Sequence, residues 1–327
     1  MDKHHIGIIG CGRVSQAYID AVREMEEVTV GAVCDIRKNA AIAIAEQVGA
    51  VPFDSLDAYL SSDAVSLSIV CTPPNTHSEI CHRLLERGHH VLCEKPLAIN
   101  PDEGIRMLEK AAIAERVLMM ASKFRFVKDI EEAKGMVSSR FLGNVHFFEN
   151  TFCQKVSMKG RWNIDPHISG GGVLIDNGTH AVDIARYLLG PITDVFAEKL
   201  AINGEVPVED TVRLNIKTER GVEGGIFLSW TFSPDRSGFI HLYGTEANVR
   251  IGFDSSSFEM PSHPKEWIPF GKGYNKVDAF KGQLQNFIDA TEGKGEPLMT
   301  NQDAIASLKA VHAGYRSLKT GRWEKVV

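Results

Sequence analysis

Through the first 120 residues, short apolar runs alternate with stretches in which apolar positions recur every three or four residues. "HIGII" (5–9) leads into a helical pattern near 13–25, and "VTVGAVC" (28–34) into "RKNAAIAIAEQVG" (37–49). "AVSLSIV" (64–70) precedes "NTHSEICHRLLERG" (75–88), "HHVLC" (89–93) precedes "NPDEGIRMLEKAAIAE" (100–115), and "RVLMMA" (116–121) closes the set. Continuous apolar strands parted by amphipathic helices predict a parallel sheet covered on both faces, with right-handed crossovers. The punctuation agrees: Gly49 is placed to stop a helix, and Asn75 to cap one. Asn100 precedes Pro101 and stands three residues before Glu103, the signature of a capped helix start.

Beyond residue 122 the pattern changes. Helices are expected over "RFVKDIEEAKGMVSS" (125–139) and "GTHAVDIARYLLG" (178–190). Alternating or partly buried strands follow: "ITDVFAEKLA" (192–201), "TVRLNIKTE" (211–219), "VEGGIFLSWTF" (222–232), "GFIHLYG" (238–244) and "NVRIGF" (248–253). Short connections rich in glycine, asparagine and proline suit an antiparallel sheet. Late helices fit "AFKGQLQNFIDATEG" and "NQDAIASLKAVHAGYRSL". The expected division is therefore an α/β domain over 1–122 and an α+β domain over 123–327, whose C-terminal segment has room to pack back on the first domain. The junction of the two is the expected location of a site.

A chain of 327 residues agrees with two cores. No apolar run is long enough to span a membrane and the N-terminal residues lack a secretory pattern, so a cytoplasmic location is the expectation. The six cysteines (11, 34, 71, 81, 93 and 153) contain no C-x-x-C pair and read as inert thiols in or near the core. The net charge of −6 falls unevenly: residues 1–122 hold 11 Lys/Arg against 17 Asp/Glu, whereas 123–327 hold 25 of each. With no basic stripe, a nucleic-acid partner is disfavoured. An anionic ligand of the first domain must be held by local geometry.

"GIIGCGRVS" supplies that geometry. Gly10-x-Gly12-x-x-Ser15 follows a strand and opens a helix: Gly10 permits the tight turn, Gly12 clears the approach of a pyrophosphate, and Ser15 is small enough for strand–helix packing. Arg13 either lies over the pyrophosphate or is an exposed helix-start residue, and Val14 belongs to the same turn. The helix N-terminus offers unpaired amides and a positive dipole end. Asp35, at the end of the second strand, can accept hydrogen bonds from an adenosine ribose and would repel a 2′-phosphate. Arg37 pulls the other way, since a guanidinium can pair with that phosphate. NAD is thus favoured over NADP. Ligands of such sheets lie beyond the carboxyl ends of the strands, which places Thr72, Pro73, Pro74 and Asn75 of "CTPPNTH" beside the cofactor. His77 either supports that site or belongs to the helix start.

"GGGVLIDNGTH" (170–180) is ambiguous alone, a flexible turn or a carboxylate and an imidazole four residues apart. Asp176 and His180 share a face if both are helical, but Gly178 suggests a helix that begins around 177–179. Asp176 is then either a working group or a helix-start carboxylate.

Taken together, "GCGRVS" with Asp35, "TPPNTH", "EKP" (94–96), "GGGVLIDNGTHAVD" (170–183) and "YRSLKTG" resemble the oxidoreductase family named after glucose–fructose oxidoreductase, inositol dehydrogenase and a rhizopine-catabolism protein. The order and spacing of these motifs extend over most of the chain. The resemblance implies an N-terminal Rossmann domain and a C-terminal domain on an open-faced, predominantly antiparallel sheet that often mediates oligomerisation, hence a homodimer or homotetramer. It implies a nicotinamide cofactor, substrates that are sugars or cyclitols, and often a cis bond at Lys95–Pro96. It aligns Lys95, Asp176 and His180 with the family's catalytic lysine, carboxylate and histidine, and Glu94 with a cofactor-side residue. Ser15 departs from the usual glycine or alanine, and His180 separates the chain from relatives with tyrosine there.

The chemistry fits these types. Oxidising a secondary alcohol requires removal of the O–H proton as hydride leaves carbon. Histidine ordinarily titrates near neutrality, so His180 suits the general base. Lys95 favours a developing alkoxide, and Asp176 either holds the imidazole or binds a substrate hydroxyl. Lys123, Arg125, Arg161, Trp162, His167 and Asn177 are further candidates to line the substrate site, and Arg125 or Arg161 is a candidate for an anionic substituent. No metal is expected, because Asp176 and His180 supply only two ligands. The leading expectation is an NAD(P)-dependent oxidoreductase acting on a secondary alcohol or ketone of a sugar, amino sugar, nucleotide sugar or cyclitol. The alternatives are a redox-assisted glycosidase and a nonenzymatic, dinucleotide-responsive binding protein.

Overall fold

The computed structural model describes residues 3–200, 206–235, 237–264 and 266–327. The chain divides into two compact units, Met1–Lys123 with Lys276–Ala304, and Phe124–Asn275 with Ile305–Val327.

The first unit contains the strands β1 (His4–Ile9), β2 (Val28–Cys34), β3 (Val51–Phe53), β4 (Leu67–Val70), β5 (His90–Cys93) and β6 (Leu118–Met120). They form one parallel sheet in the order β3-β2-β1-β4-β5-β6. Helices α1 (Arg13–Arg23), α2 (Lys38–Val48), α3 (Leu56–Leu60), α4 (His77–Glu86) and α5 (Pro101–Ile113) make the connections. This is the doubly wound Rossmann order, in which the winding reverses between β1 and β4 and opens a crevice beyond their carboxyl ends. The strands read as apolar runs because the sheet is buried: Ile6, Ile8, Ile69, Val91 and Leu92 are fully inaccessible. The helix α9 (Lys276–Thr291) belongs to this unit and lies against α1, where Phe280 meets Tyr18 edge-on at 4.8 Å.

Local signals mostly act as expected. Gly49 ends α2 in the left-handed conformation (φ 73°), and Asn100 caps α5 by accepting from the Glu103 N–H at 2.9 Å. Asn75 does not cap α4. A 3-10 turn over Pro74–Thr76 precedes that helix, Asn75 is exposed within it, and Thr76 takes the cap position. The Thr76 hydroxyl bonds back to Pro73 O instead, at 2.8 Å. The pattern of the first 120 residues also missed β3, a three-residue strand whose central residue is proline and which sits at the sheet margin.

The second unit carries a nine-stranded sheet built from β7 (Val145–Cys153), β8 (Ile192–Lys199), β9 (Thr211–Thr218), β10 (Glu223–Ser229), β11 (Ile240–Gly244), β12 (Asn248–Ile251), β13 (Ser256–Glu259), β14 (Ile268–Gly271) and β15 (Glu324–Lys325). The order is β14-β13-β12-β11-β7-β10-β9-β8-β15, and every pair is antiparallel except β7 with β10. β8 stops at Lys199, and Ala201, the last residue of its expected range, lies outside the described residues. β7 escaped the sequence pattern because its adjacent Phe147 and Phe148 face opposite sides, one exposed and one buried, which hides the period of two.

Helices α6 (Lys128–Ser138), the short α7 (Pro166–Ser169), α8 (Val173–Leu189) and α10 (Asn301–Thr320) complete the fold. α6 and α8 pack on the sheet, and Gly314 of α10 sits where a Cβ would be 3.2 Å from Leu174 and 3.4 Å from Leu214. Leu174, Val212, Leu214, Ile226 and Leu228 form the core beneath them. On the alternate positions of the strands, Glu149, Lys217, Phe227 and Tyr243 stay partly accessible, so this face is open. Among the described residues, no helix is long and apolar enough to cross a membrane.

Candidate active site

In the first unit the turn after β1 is shaped by two glycines with different reasons to be glycine. Gly10 adopts φ +94°, and a Cβ there would stand 2.7 Å from the carbonyl carbon of Cys71 and 2.8 Å from Thr72 N. It lets the β1 turn touch the end of β4. Gly12 is the N-cap of α1, has an ordinary extended φ of −93°, and a Cβ on it would meet nothing within 4 Å. Packing within the protein therefore does not require glycine at 12, and its bare backbone leaves room for a ligand. Among the described residues no side chain caps α1, and its first turn carries no acid, so its N-terminal amides are open to an anion. Ser15 is wholly buried and its hydroxyl donates to Gly12 O at 2.6 Å, whereas Arg13 is exposed and Val14 half-buried.

Asp35 is held from three directions. Its Oδ2 accepts from Cys11 N at 2.8 Å and its Oδ1 from Arg37 N at 2.8 Å. The Arg37 guanidinium adds Nε to Oδ1 at 3.1 Å and Nη2 to Oδ2 at 3.0 Å. Burial pushes the Asp35 carboxyl up, but the guanidinium and the two backbone N–H groups outweigh it and hold the group below the usual carboxylate range.

His77 is fully buried and ties two strand ends together. Nδ1 lies 3.0 Å from Pro96 O and Nε2 2.9 Å from Thr72 O. Burial keeps its pKa below that of an ordinary histidine, so the neutral ring donates to one carbonyl at a time. His77 thus supports the loop that holds Thr72, Pro73 and Pro74. The turn after β5 holds Glu94 and Lys95, and the Lys95–Pro96 bond is cis. Glu94 Oε1 accepts from the Tyr18 hydroxyl at 2.8 Å, and Oε2 from Lys95 N at 3.2 Å. Burial raises the Glu94 pKa against the pull of Lys95, of the Tyr18 O–H and of Lys123. Lys123 places its ammonium 5.5 Å from the centre of the Phe280 ring.

In the second unit, α8 begins at Val173, earlier than the sequence suggested. Asp176 and His180 consequently both lie inside the helix, one turn apart on one face. Gly178 misled because glycine weakens helices. Here it is interior, and a Cβ would press on Leu228 and Leu174 at 3.1 and 3.2 Å. The glycine triplet has an equally internal cause. A Cβ on Gly171 would fall 1.9 Å from the Tyr315 hydroxyl, and one on Gly172 would fall 2.1 Å from Glu209 O. Glu209 Oε1 accepts from Gly172 N at 2.9 Å, from Leu174 N at 3.1 Å and from the Tyr315 hydroxyl at 2.7 Å. The N-terminus of α8 is therefore already capped by the chain's own carboxylate, unlike that of α1.

Asn163 Nδ2 donates to Asp176 Oδ2 at 3.3 Å, and Asn177 Nδ2 donates to Phe152 O at 3.3 Å. The His180 ring stands edge-on to Phe124 at 5.0 Å. Phe124 continues into a cluster with Phe152, Phe239 and Tyr274 at 5.1, 5.9 and 5.3 Å. The imidazole is thus half-buried on an aromatic wall. Arg125 is elsewhere: its Nε and Nη2 grip the Asp183 carboxylate at 2.6–3.1 Å, its guanidinium lies over Tyr187, and both charged partners are nearly inaccessible. This guanidinium serves an internal ion pair. Arg161 and the exposed Trp162 and His167 lie on the segment leading to α8, with His167 N donating to the capping Asp165.

Tyr18, Gln283, Asn163 and Phe124 escaped sequence reading. Each sits at a position that ordinary core or loop packing also explains, and only their partners reveal a role. Among the described residues no group of three or more His, Cys, Asp or Glu side chains is arranged to hold a metal.

The family model described as an oxidoreductase family with an NAD-binding Rossmann fold matches residues 4–122, and the C-terminal domain model of the same family matches 130–250. The rhizopine catabolism protein MocA of Rhizobium meliloti is 26% identical over 322 residues, covering 96% of this chain and 94% of that protein. Myo-inositol 2-dehydrogenase of Thermotoga maritima is 24% identical over 335 residues, covering 98% of each. Levoglucosan dehydrogenase, solved in complex with NADH and L-sorbose, superposes with a TM-score of 0.93 at 20% identity over the whole of both chains.

Proposed function

Because the chain belongs to the GFO/IDH/MocA family of oxidoreductases, we propose that it is an NAD-dependent dehydrogenase that interconverts a secondary alcohol and a ketone on a sugar, amino sugar, nucleotide sugar or cyclitol. The observation that carries this reading is the pairing on α8: Asp176 and His180 on successive turns, with the imidazole half-buried against Phe124. When bound, the dinucleotide supplies the acceptor or donor of hydride.

The chain's own groups do the rest. The amides at the start of α1 and the bare backbone at Gly12 hold the pyrophosphate. Asp35, kept ionised, accepts from ribose hydroxyls. It also favours NAD, because its charge opposes a 2′-phosphate and the Arg37 fork is already spent on Asp35. Thr72, Pro73 and Pro74, braced by His77, wall the cofactor. Lys95 steadies charge on the substrate oxygen, and an imidazole nitrogen of His180 takes the hydroxyl proton. Asp176, steadied by Asn163, keeps that base oriented or accepts from a neighbouring substrate hydroxyl. Arg161, Trp162, His167, Asn177 and Lys123 are the proposed substrate neighbours. A homodimer or homotetramer is the proposed assembly, tested by light scattering on the purified protein.

A panel of sugars, inositols and nucleotide sugars, followed by nicotinamide absorbance with both cofactors, tests the reading. His180→Ala is expected to cut turnover at least about a hundredfold while NAD still binds. Unchanged turnover in the variant would remove His180 from the chemistry. Glycoside cleavage without net NADH would overturn the dehydrogenase itself.

A further inference from the structure

Tyr18, Glu94 and Gln283 form a hydrogen-bonded line contributed by α1, the turn after β5, and α9. Gln283 Nε2 donates to the Tyr18 hydroxyl oxygen at 3.0 Å, and the hydroxyl donates to Glu94 Oε1 at 2.8 Å. Tyr18 and Gln283 are wholly inaccessible, and Glu94 is 9% exposed. Among the described residues, Gln283 Oε1 has no hydrogen-bond partner. Turning that amide over exchanges the atom that meets Tyr18 and breaks no other side-chain hydrogen bond. The line can therefore run in either direction. In one, the amide N–H and the phenol O–H point toward a Glu94 carboxylate. In the other, a Glu94 carboxylic acid donates to Tyr18, whose O–H turns to Gln283 Oε1. In both, Oε2 continues to accept from Lys95 N. A buried carboxyl whose line of partners can reverse keeps a hydrogen bond on that oxygen in either charge state.

Glu94 is the first residue beyond β5, at the carboxyl edge where the cofactor is placed by the function proposed above, on which this inference rests. We propose that Tyr18 and Gln283 are positioning residues that let Glu94 exchange one proton with solvent as the charge of the bound nicotinamide changes. Glu94 is a carboxylate beside the oxidised, cationic ring and a carboxylic acid beside the reduced, neutral ring. The step is a protonation only: Glu94 gains H⁺ from solvent, the phenol O–H reorients, and no electron passes through the line. The charged and titratable groups facing Glu94 are Lys95 and Lys123, Tyr18 of α1, and the buried thiols of Cys71 and Cys93. Burial already raises its pKa, so loss of one nearby positive charge pushes in the direction of protonation.

The sign follows by linkage. NADH prefers the protonated enzyme, so its affinity falls as pH rises through the Glu94 pKa of that complex. NAD⁺ prefers the ionised enzyme, so its affinity gains over the same rise. Calorimetric titration of the full-length protein with NAD⁺ and with NADH, from about pH 6 to about pH 9, reads the ratio of the two Kd values. That ratio, NADH over NAD⁺, is expected to climb with pH by up to about tenfold per unit where Glu94 titrates. Glu94→Gln should make it flat. Tyr18→Phe should move the climb to higher pH, since the carboxylate loses its O–H donor, and this variant carries the test if Glu94→Gln does not fold. A purely structural role would weaken both cofactors alike at every pH. A flat ratio in the wild type, or an unchanged climb in Glu94→Gln, overturns the inference. If neither cofactor binds, the proposed function falls with it, whereas binding of both with a flat ratio sinks the inference alone.

Discussion

Replacing Asp183 by Asn tests whether Arg125 is structural. The two residues are 1% and 2% exposed, and the guanidinium meets the carboxylate at nitrogen–oxygen distances of 2.6–3.1 Å. Removing the carboxylate leaves a guanidinium charge deprived of its counter-ion in a site that water barely reaches. Breaking such a buried pair from one side costs about 3–5 kcal/mol. For a unit of this size each kcal/mol lowers the melting temperature by about 2–4 °C, so a fall of roughly 6–20 °C is expected. Asp183→Leu with Arg125→Met should recover most of that loss, because replacing both members by apolar residues of similar volume is often neutral. Thermal and urea unfolding of Asp183→Leu, Arg125→Met and the double, with Asp183→Asn alongside, followed by circular dichroism, complete the cycle. A single-variant loss below about 1 kcal/mol, the range of exposed pairs, would refute the reasoning. It would also return Arg125 to the list of side chains available to a substrate anion.

Three other outcomes are expected. Gly172→Ala should destabilise by about 1–3 kcal/mol in a melting assay, because its Cβ meets Glu209 O at 2.1 Å. Gly12→Ala, with open space around it, should cost about 1 kcal/mol or less, yet weaken NAD binding by calorimetry. Asp35→Asn should raise the Kd for NAD and narrow the gap to NADP. It should also flatten the acid limb of stability: the folded carboxyl titrates below its ordinary value, so its contribution is present above that value and lost as pH falls through the lowered one.

Legibility tracked how local the cause was. The first sheet could be read because each buried strand is an uninterrupted apolar run, and because Asn100 and Gly49 act through their own turns. Asn75 misled, since two prolines before it allow a 3-10 turn that no propensity distinguishes from a helix start. The start of α8 was misplaced for a nonlocal reason. Its cap is the carboxylate of Glu209, 35 residues from Leu174 in sequence, and nothing within 170–180 announces it. The same holds for the site. Gly10, Gly12 and Asp35 declare themselves by spacing, and Lys95, Asp176 and His180 by likeness to a family. Gln283 is 265 residues from Tyr18, and the Phe124 ring beside His180 is one apolar residue among many until the fold assembles them.

The central place of β7 in the second sheet bears on how the protein is made. This strand is the first of its sheet to leave the ribosome, yet both its partners, β10 and β11, begin more than 60 residues later. Its row of amides and carbonyls, with Phe147, Phe148 and Phe152 alongside, must wait unpaired while β8 and β9 are still being synthesised. Long-range pairing of this kind slows folding and leaves a sticky edge exposed in the meantime. The nascent chain is thus most prone to aggregation after about residue 153 and before about residue 244 has emerged, and a chaperone that shields extended apolar segments would raise yield by acting in that interval.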